Sequence, residues 1–181
     1  MSEIADTHPQ MAYAAYIKGY MSKFTYFMRT IEGFNEYLAP VDEVLNNHFI
    51  STLFGMDTQL PELREVIGLK SSDGGLNIPV LESASKVQFE SSVRITSPHV
   101  ASIINQEKTM LEKNNEGHTQ EEVLRQDKTL KTAQRNAKIK EVDDKVPSST
   151  KTFIEQARDK GASSWLNALP IEELDFVLNK E

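Results

Sequence analysis

The feature that most constrains this chain lies between Gln10 and Ile31, where Tyr13, Tyr16, Tyr20, Phe24 and Phe27 recur at three- and four-residue steps. That spacing lines the rings along one side of a helix. Ile17, Met21, Met28 and Ile31 widen the side into a broad apolar face. Lys18, Ser22, Thr25 and Arg29 fall opposite. Pro9 suits the first turn of such a helix and Gly33 its end. A face of this size must be covered, and core packing is the expected use of aromatics so arranged.

The same period continues downstream. A second helix is expected over Val41–Phe54, with Val41, Val44, Leu45, His48, Phe49 and Leu53 turned inward, and a short one over Pro61–Leu69. Asp73-Gly74-Gly75 is a turn in which glycine supplies a positive φ. Val80–Ile95 fits two periods. Val87, Phe89, Ser91, Val93 and Ile95 alternate as in a strand, while Leu81, Ala84, Val87 and Ser91 suit a helix. Helix is preferred because no second strand flanks the segment. Thr96-Ser97-Pro98 reads as a helix restart, a hydroxyl cap followed by proline. Val100, Ile103 and Ile104 are then expected to pack inward.

Asn114-Asn115-Glu116-Gly117 breaks this pattern, and Thr119 with Glu122 resembles a capping box. A polar helix should run from there to about Lys145, roughly 40 Å at the rise of an α-helix. Its apolar content is thin (Val123, Leu124, Leu130, Ala133, Ala137, Ile139), so it is expected to project or to lie on a partner. Pro147 interrupts it, a further helix covers Lys151–Lys160, and Gly161 ends that one. Ser163–Leu169 and Phe176–Leu178 are expected to pair as a short hairpin, with the stop at Glu181 suggesting a truncated unit. The expected fold class is therefore mainly α: a helical bundle over residues 1–110, a long helical linker over 111–161, and the start of a C-terminal β-hairpin module over 162–181.

Composition narrows the function. The chain has 181 residues, 39% of them apolar and 26% charged, with a net charge of −7. An acidic chain meets nucleic acid only through a local basic patch. There is no cysteine, hence no disulfide, thiolate metal site or cysteine nucleophile. No apolar run is long enough to span a membrane, and Met1–Asp6 carries acids rather than the apolar core of a secretory signal. An intracellular location, cytoplasmic or nuclear, is expected.

No catalytic, cofactor-binding or metal-ligating residue emerges. His8, His48, His99 and His118 lack zinc-ligand spacing. Gly74-Gly75 lacks the lysine of a phosphate-binding loop, and no nucleophile elbow occurs. Asp143-Asp144 resembles the paired aspartates of a polymerase palm, but it ends a polar helix and reads better as a solvated terminus. One patch stands out. Arg125, Lys128, Lys131, Arg135, Lys138 and Lys140 face a single acid, Asp127, and four of the six share one helix face. That stripe could track phosphates, or it could be a solvated face balanced by acids at the helix ends.

Three stretches then resemble, in order and spacing, the region downstream of the reverse-transcriptase palm in non-LTR-type retrotransposon polyproteins. They are Ala12–Ile31, Gly74-Gly-Leu-Asn-Ile-Pro79, and Gly161–Ile171 around Trp165 with Phe176–Lys180. The resemblance covers about Pro9 to Lys180. It implies a thumb-like helical bundle that meets an RNA or RNA–DNA duplex, with Lys18, Lys23 and Arg29 on the contacting helix. Neither the palm aspartates nor the Cys/His cluster of that family occurs here, so polymerase and nuclease activities do not carry over. The expectation is a non-catalytic fragment of such a polyprotein with weak nucleic-acid binding. The alternative is a helical protein–protein interaction module that associates, with itself or another chain, through exposed apolar helix faces.

Overall fold

The computed structural model describes residues 1–55, 61–106 and 120–167, and these are helical almost throughout. A short helix α1 (Ser2–Thr7) leads into α2 (Pro9–Ala15). A π-turn over Tyr16–Tyr20 joins α2 to α3 (Met21–Thr30) without a break. The second long helix has the same construction: α4 (Ala39–Val44), a π-turn over Leu45–Ile50, then α5 (Ser51–Phe54). Next come α6 (Pro61–Gly68), a central α7 (Leu81–Ile104), α8 (Gln120–Lys145) and α9 (Ser148–Ala157). Helix α7 is the spine: α3 and α4 lie against it on one side and α8 on another.

The two π-turns redraw both inward faces. A π-turn holds one more residue than an α-turn, so positions beyond it rotate relative to those before it. Along α2–α3 the inner line runs Tyr13, Tyr16, Met21, Phe24, Met28, and the five-residue step falls across the π-turn. Tyr20 and Phe27, expected inside, are about half exposed. In the second helix Asp42, Leu45, Phe49 and Ile50 are buried, while Val44 and His48, also expected inside, face solvent. Tyr16 and Phe49, one from each π-turn, pack with ring centroids 5.1 Å apart.

Helix α7 settles the ambiguous segment as helix, and it runs straight through Pro98. The expected restart at Thr96-Ser97-Pro98 does not occur. Instead the Thr96 and Ser97 hydroxyls donate back to the carbonyls of Ser92 (2.9 Å) and Val93 (2.6 Å), bracing the turn before the proline. Leu81, Ser85 and Ser91 set the inward phase of this helix, and that phase places Ser102 inside. Val100, Ile103 and Ile104 are consequently exposed, Ile104 by 73%, contrary to the expected inward packing.

Two apolar clusters flank α6. The larger holds Tyr13, Tyr16, Met28, Leu38, Phe49, Ile50, Ile67, Ile78 and Leu81 with their neighbours. The smaller joins Val66 and Leu69 to Val142, Val146 and Ile154 of α8 and α9. The long polar helix therefore does not project; its C-terminal end is anchored on α6. Helix α9 starts at Ser148, directly after Pro147, rather than at Lys151. Beyond Gly161 the chain forms a 3-10 turn over Ser164–Asn167 where the first hairpin strand was expected. Turn hydrogen bonds from Ser164 N–H to Gly161 and from Leu166 N–H to Ser163 use the groups a strand partner would need. The second strand, Phe176–Leu178, and the break at Asn114–Gly117 lie outside the described residues.

The turn between α6 and α7 seats both clusters. Gly74 takes φ +84, and a Cβ there would stand 2.9 Å from Ile154 of α9. A Cβ on Gly75 would stand 2.3 Å from the Leu69 carbonyl and 2.5 Å from that of Val66, both backbone atoms that cannot step aside. The Tyr13 hydroxyl donates to the Leu76 carbonyl at 2.8 Å, tying α2 to the same turn. Gly75→Ala should cost about 3 kcal/mol of unfolding free energy. Urea denaturation followed by circular dichroism checks this, and a loss below about 1 kcal/mol would mean the turn can shift.

Candidate nucleic-acid interface

The six cations of the α8 stripe divide into two sets. Helix α8 turns charged residues inward: its inner line is Asp127, Lys131, Arg135, Ile139, Val142, Val146, while Leu124 and Leu130 are about half exposed. Lys131 Nζ lies 3.0 Å from Asp127. The Arg135 guanidinium grips both carboxylate oxygens of buried Asp73, with Nε at 2.6 Å from Oδ2. Lys138 donates to Glu65 at 2.9 Å and to Glu141 at 3.3 Å. These three cations are thus committed within the molecule. Arg125, Lys128 and Lys140 remain exposed, with no carboxylate partner among the described residues. A continuous phosphate track along α8, as the spacing suggests, would have to draw Lys131, Arg135 and Lys138 away from these acids.

Asp127 joins the helix to the spine. It is 4% exposed and accepts hydrogen bonds from the Ser91 hydroxyl (2.8 Å) and from Arg94 Nε (3.2 Å) and Nη2 (3.0 Å) on α7. Burial pushes its carboxyl up, but bonds from Lys131, Ser91 and Arg94 outweigh this and hold it below the ordinary value. Lys138, helped by Lys145, likewise holds Glu65 low against its burial. Asp143 is held low by Arg158, which donates to its two oxygens at 3.0 and 2.8 Å. Arg158 Nε also bonds the Asp73 carbonyl at 3.0 Å, so Asp143 belongs to a structural clasp while Asp144 is exposed. Among the described residues no group of three His, Cys, Asp or Glu side chains converges to hold a metal ion.

A second node joins α4, α6 and the start of α7. Asp42 accepts the Leu81 and Glu82 N–H groups, both at 2.9 Å, and so caps the start of α7. Arg64, 3.6 Å from Asp42, donates to the carbonyls of Ile78 (2.6 Å) and Pro79 (2.9 Å) and to the Asn46 side chain. Burial lowers the Arg64 guanidinium from its usual value while Asp42 opposes the shift. Nearby, burial raises the Tyr16 hydroxyl to about 12. The one sequence sign of this node was an acid, Asp42, on the apolar side of a helix.

The α2–α3 cations sit differently. Lys18, Lys23 and Arg29 are exposed, and no carboxylate pairs with them among the described residues. Tyr20, Lys23, Tyr26 and Arg29 follow one another at three-residue steps on the outer side of the helix, alternating ring and cation. Lys23 Nζ stands 5.3 Å from the Tyr20 ring centroid, and Tyr26, 65% exposed, meets the edge of Phe27. No acid occurs from Thr7 to Ile31 in this otherwise acidic chain. Among the described residues no helix is long and apolar enough to cross a membrane.

Compared with protein-family models, curated proteins and solved structures, the chain matches none.

The carboxylates fix the acid limb of stability. Glu65, Asp127 and Asp143 have folded values below their unfolded ones, so their contribution is complete above the ordinary carboxylate range and fades as pH falls through the lowered folded values. Tyr16 sets the alkaline limb: the unfolded phenol ionises near 10 and the folded one near 12, so stability should decline as pH rises from 10 to 12. Thermal melts from pH 2 to pH 12 check both. A melting temperature flat between pH 5 and pH 2.5 would contradict the ion-pair assignment.

Proposed function

We propose that this chain is a non-catalytic helical module that binds nucleic acid weakly through the outer face of α2–α3. It would be related in role to the thumb and linker downstream of a retrotransposon reverse-transcriptase palm. The observation that carries the reading is the alternation of exposed Tyr20, Lys23, Tyr26 and Arg29 within a helical stretch, residues 7–31, that contains no acid of its own. Unpaired cations meet phosphates, and exposed rings offer stacking or sugar contact that tolerates any sequence. Lys18 extends the positive charge at one end. The α8 stripe contributes at most Arg125, Lys128 and Lys140, since its other cations are occupied. The order of the three resembling stretches supplies the parent family. RNA or an RNA–DNA duplex is then the partner in view.

A second reading, a protein–protein interaction module, is favoured by one specific observation. Val100, Ile103 and Ile104 form an exposed apolar end on α7 that the phosphate reading does not use.

Binding to an RNA–DNA duplex at 50 and 200 mM salt separates the two. The account expects affinity to fall at least tenfold with salt, and Lys18, Lys23 and Arg29 changed together to Glu to abolish binding. Changing Arg125, Lys128 and Lys140 to Glu should cost only a few-fold. Absence of binding at 50 mM salt, together with concentration-dependent sedimentation, would overturn the nucleic-acid reading in favour of the interaction module.

A further inference from the structure

Helix α8 is attached in two unlike ways along its length. At its C-terminal end Val142 and Val146 join Val66, Leu69 and Ile154 in the smaller apolar cluster, and Arg158 clasps Asp143. Toward its N-terminus polar contacts hold it to the body: Asp127 with Ser91 and Arg94, and Arg135 with Asp73 and the Ser72 hydroxyl. Lys138 with Glu65 lies between the two regions. Leu124 and Leu130 are on the outside and add little to docking.

We infer that residues 120–135 form an electrostatically latched strap that pivots on the Val142–Val146–Ile154 anchor. When closed, it withholds Lys131 and Arg135 from any competing polyanion.

Apolar contacts are indifferent to salt, whereas ion pairs with water access are screened by it. The Arg94 and Lys131 side chains keep 33% and 38% of their surface exposed, so ions can reach the latch from outside. Once the strap leaves α7, Lys131 and Arg135 stand on one helix face beside exposed Lys128, at three- and four-residue steps suited to phosphates. The acids of the molecule thus hold the places that phosphates would take, and docking competes with polyanion binding. This inference does not depend on the α2–α3 surface being a nucleic-acid site.

The chain contains no cysteine, so paired labels can be placed at will. One pair, at Lys86 and Thr129, reports across the latch; a second, at Lys70 and Asp144, reports across the anchor. All four positions are exposed. Raising salt from 0.05 to 1 M should lower energy transfer in the first pair and leave the second unchanged, with helical circular dichroism retained. Arg94→Gln should open the latch pair at 0.05 M salt. It should also tighten binding of inorganic polyphosphate about tenfold despite removing a positive charge. Three results would overturn the inference: both pairs holding their distance in 1 M salt and in the variant, both pairs lengthening together, or polyphosphate binding the variant no more tightly than the parent.

Discussion

The buried contact between Asp42 and Arg64 is the interaction on which the rest of this structure depends. One carboxylate caps the spine helix α7 through the Leu81 and Glu82 amides, and one guanidinium holds the two carbonyls that lead into it. Together they fix where α7 begins relative to α4 and α6. Since α3 and α8 both lean on α7, they inherit that placement. Pairing of this kind seldom adds much net stability over an apolar substitute, but losing one partner strands a buried charge and costs several kcal/mol. Its main effect here is geometric: it selects one arrangement of helices whose apolar surface alone would permit several.

Downstream of that node the molecule inverts the usual economy of an amphipathic helix. Helix α8 directs charges at its own body and leaves leucines outside. The body matches it with acids set on two elements, Glu65 on α6 and Asp73 in the following turn. That arrangement gives Lys131, Arg135 and Lys138 a structural duty and leaves accessible positive charge on α2–α3 and at Arg125, Lys128 and Lys140. The two halves of the chain thereby divide the work: cations are free where rings are exposed, and bound where acids are buried.

The sequence showed helices readily, because a 3.6-residue period survives even where a helix is interrupted. It showed their faces less well. Each π-turn adds one residue without any compositional mark, which is why Tyr20, Phe27 and His48 face outward against the simple 3.6-residue reading. In sequence Pro98 looks like a boundary because the bracing hydroxyls of Thr96 and Ser97 resemble a cap. The direction of α8 is illegible for a deeper reason: a pattern of polar and apolar positions presumes that apolar means inward, and the N-terminal part of this helix is held by charge. Asp42, Arg64 and Asp73 became significant only when distant segments were brought together. Of the candidate interface, Lys18, Lys23 and Arg29 were legible as a group, but the alternation with Tyr20 and Tyr26 emerged only when those rings proved to face outward.

The surface assignment is tested most directly by lysine footprinting, in which acetylation of each lysine is quantified by mass spectrometry with and without an RNA–DNA duplex at low salt. The account predicts protection at Lys18 and Lys23, with Lys131 and Lys138 slow to react in both states because Asp127 and Glu65 already hold them. Protection centred on Lys128, Lys131 and Lys138, with Lys18 and Lys23 unaffected, would contradict it and return the binding site to α8.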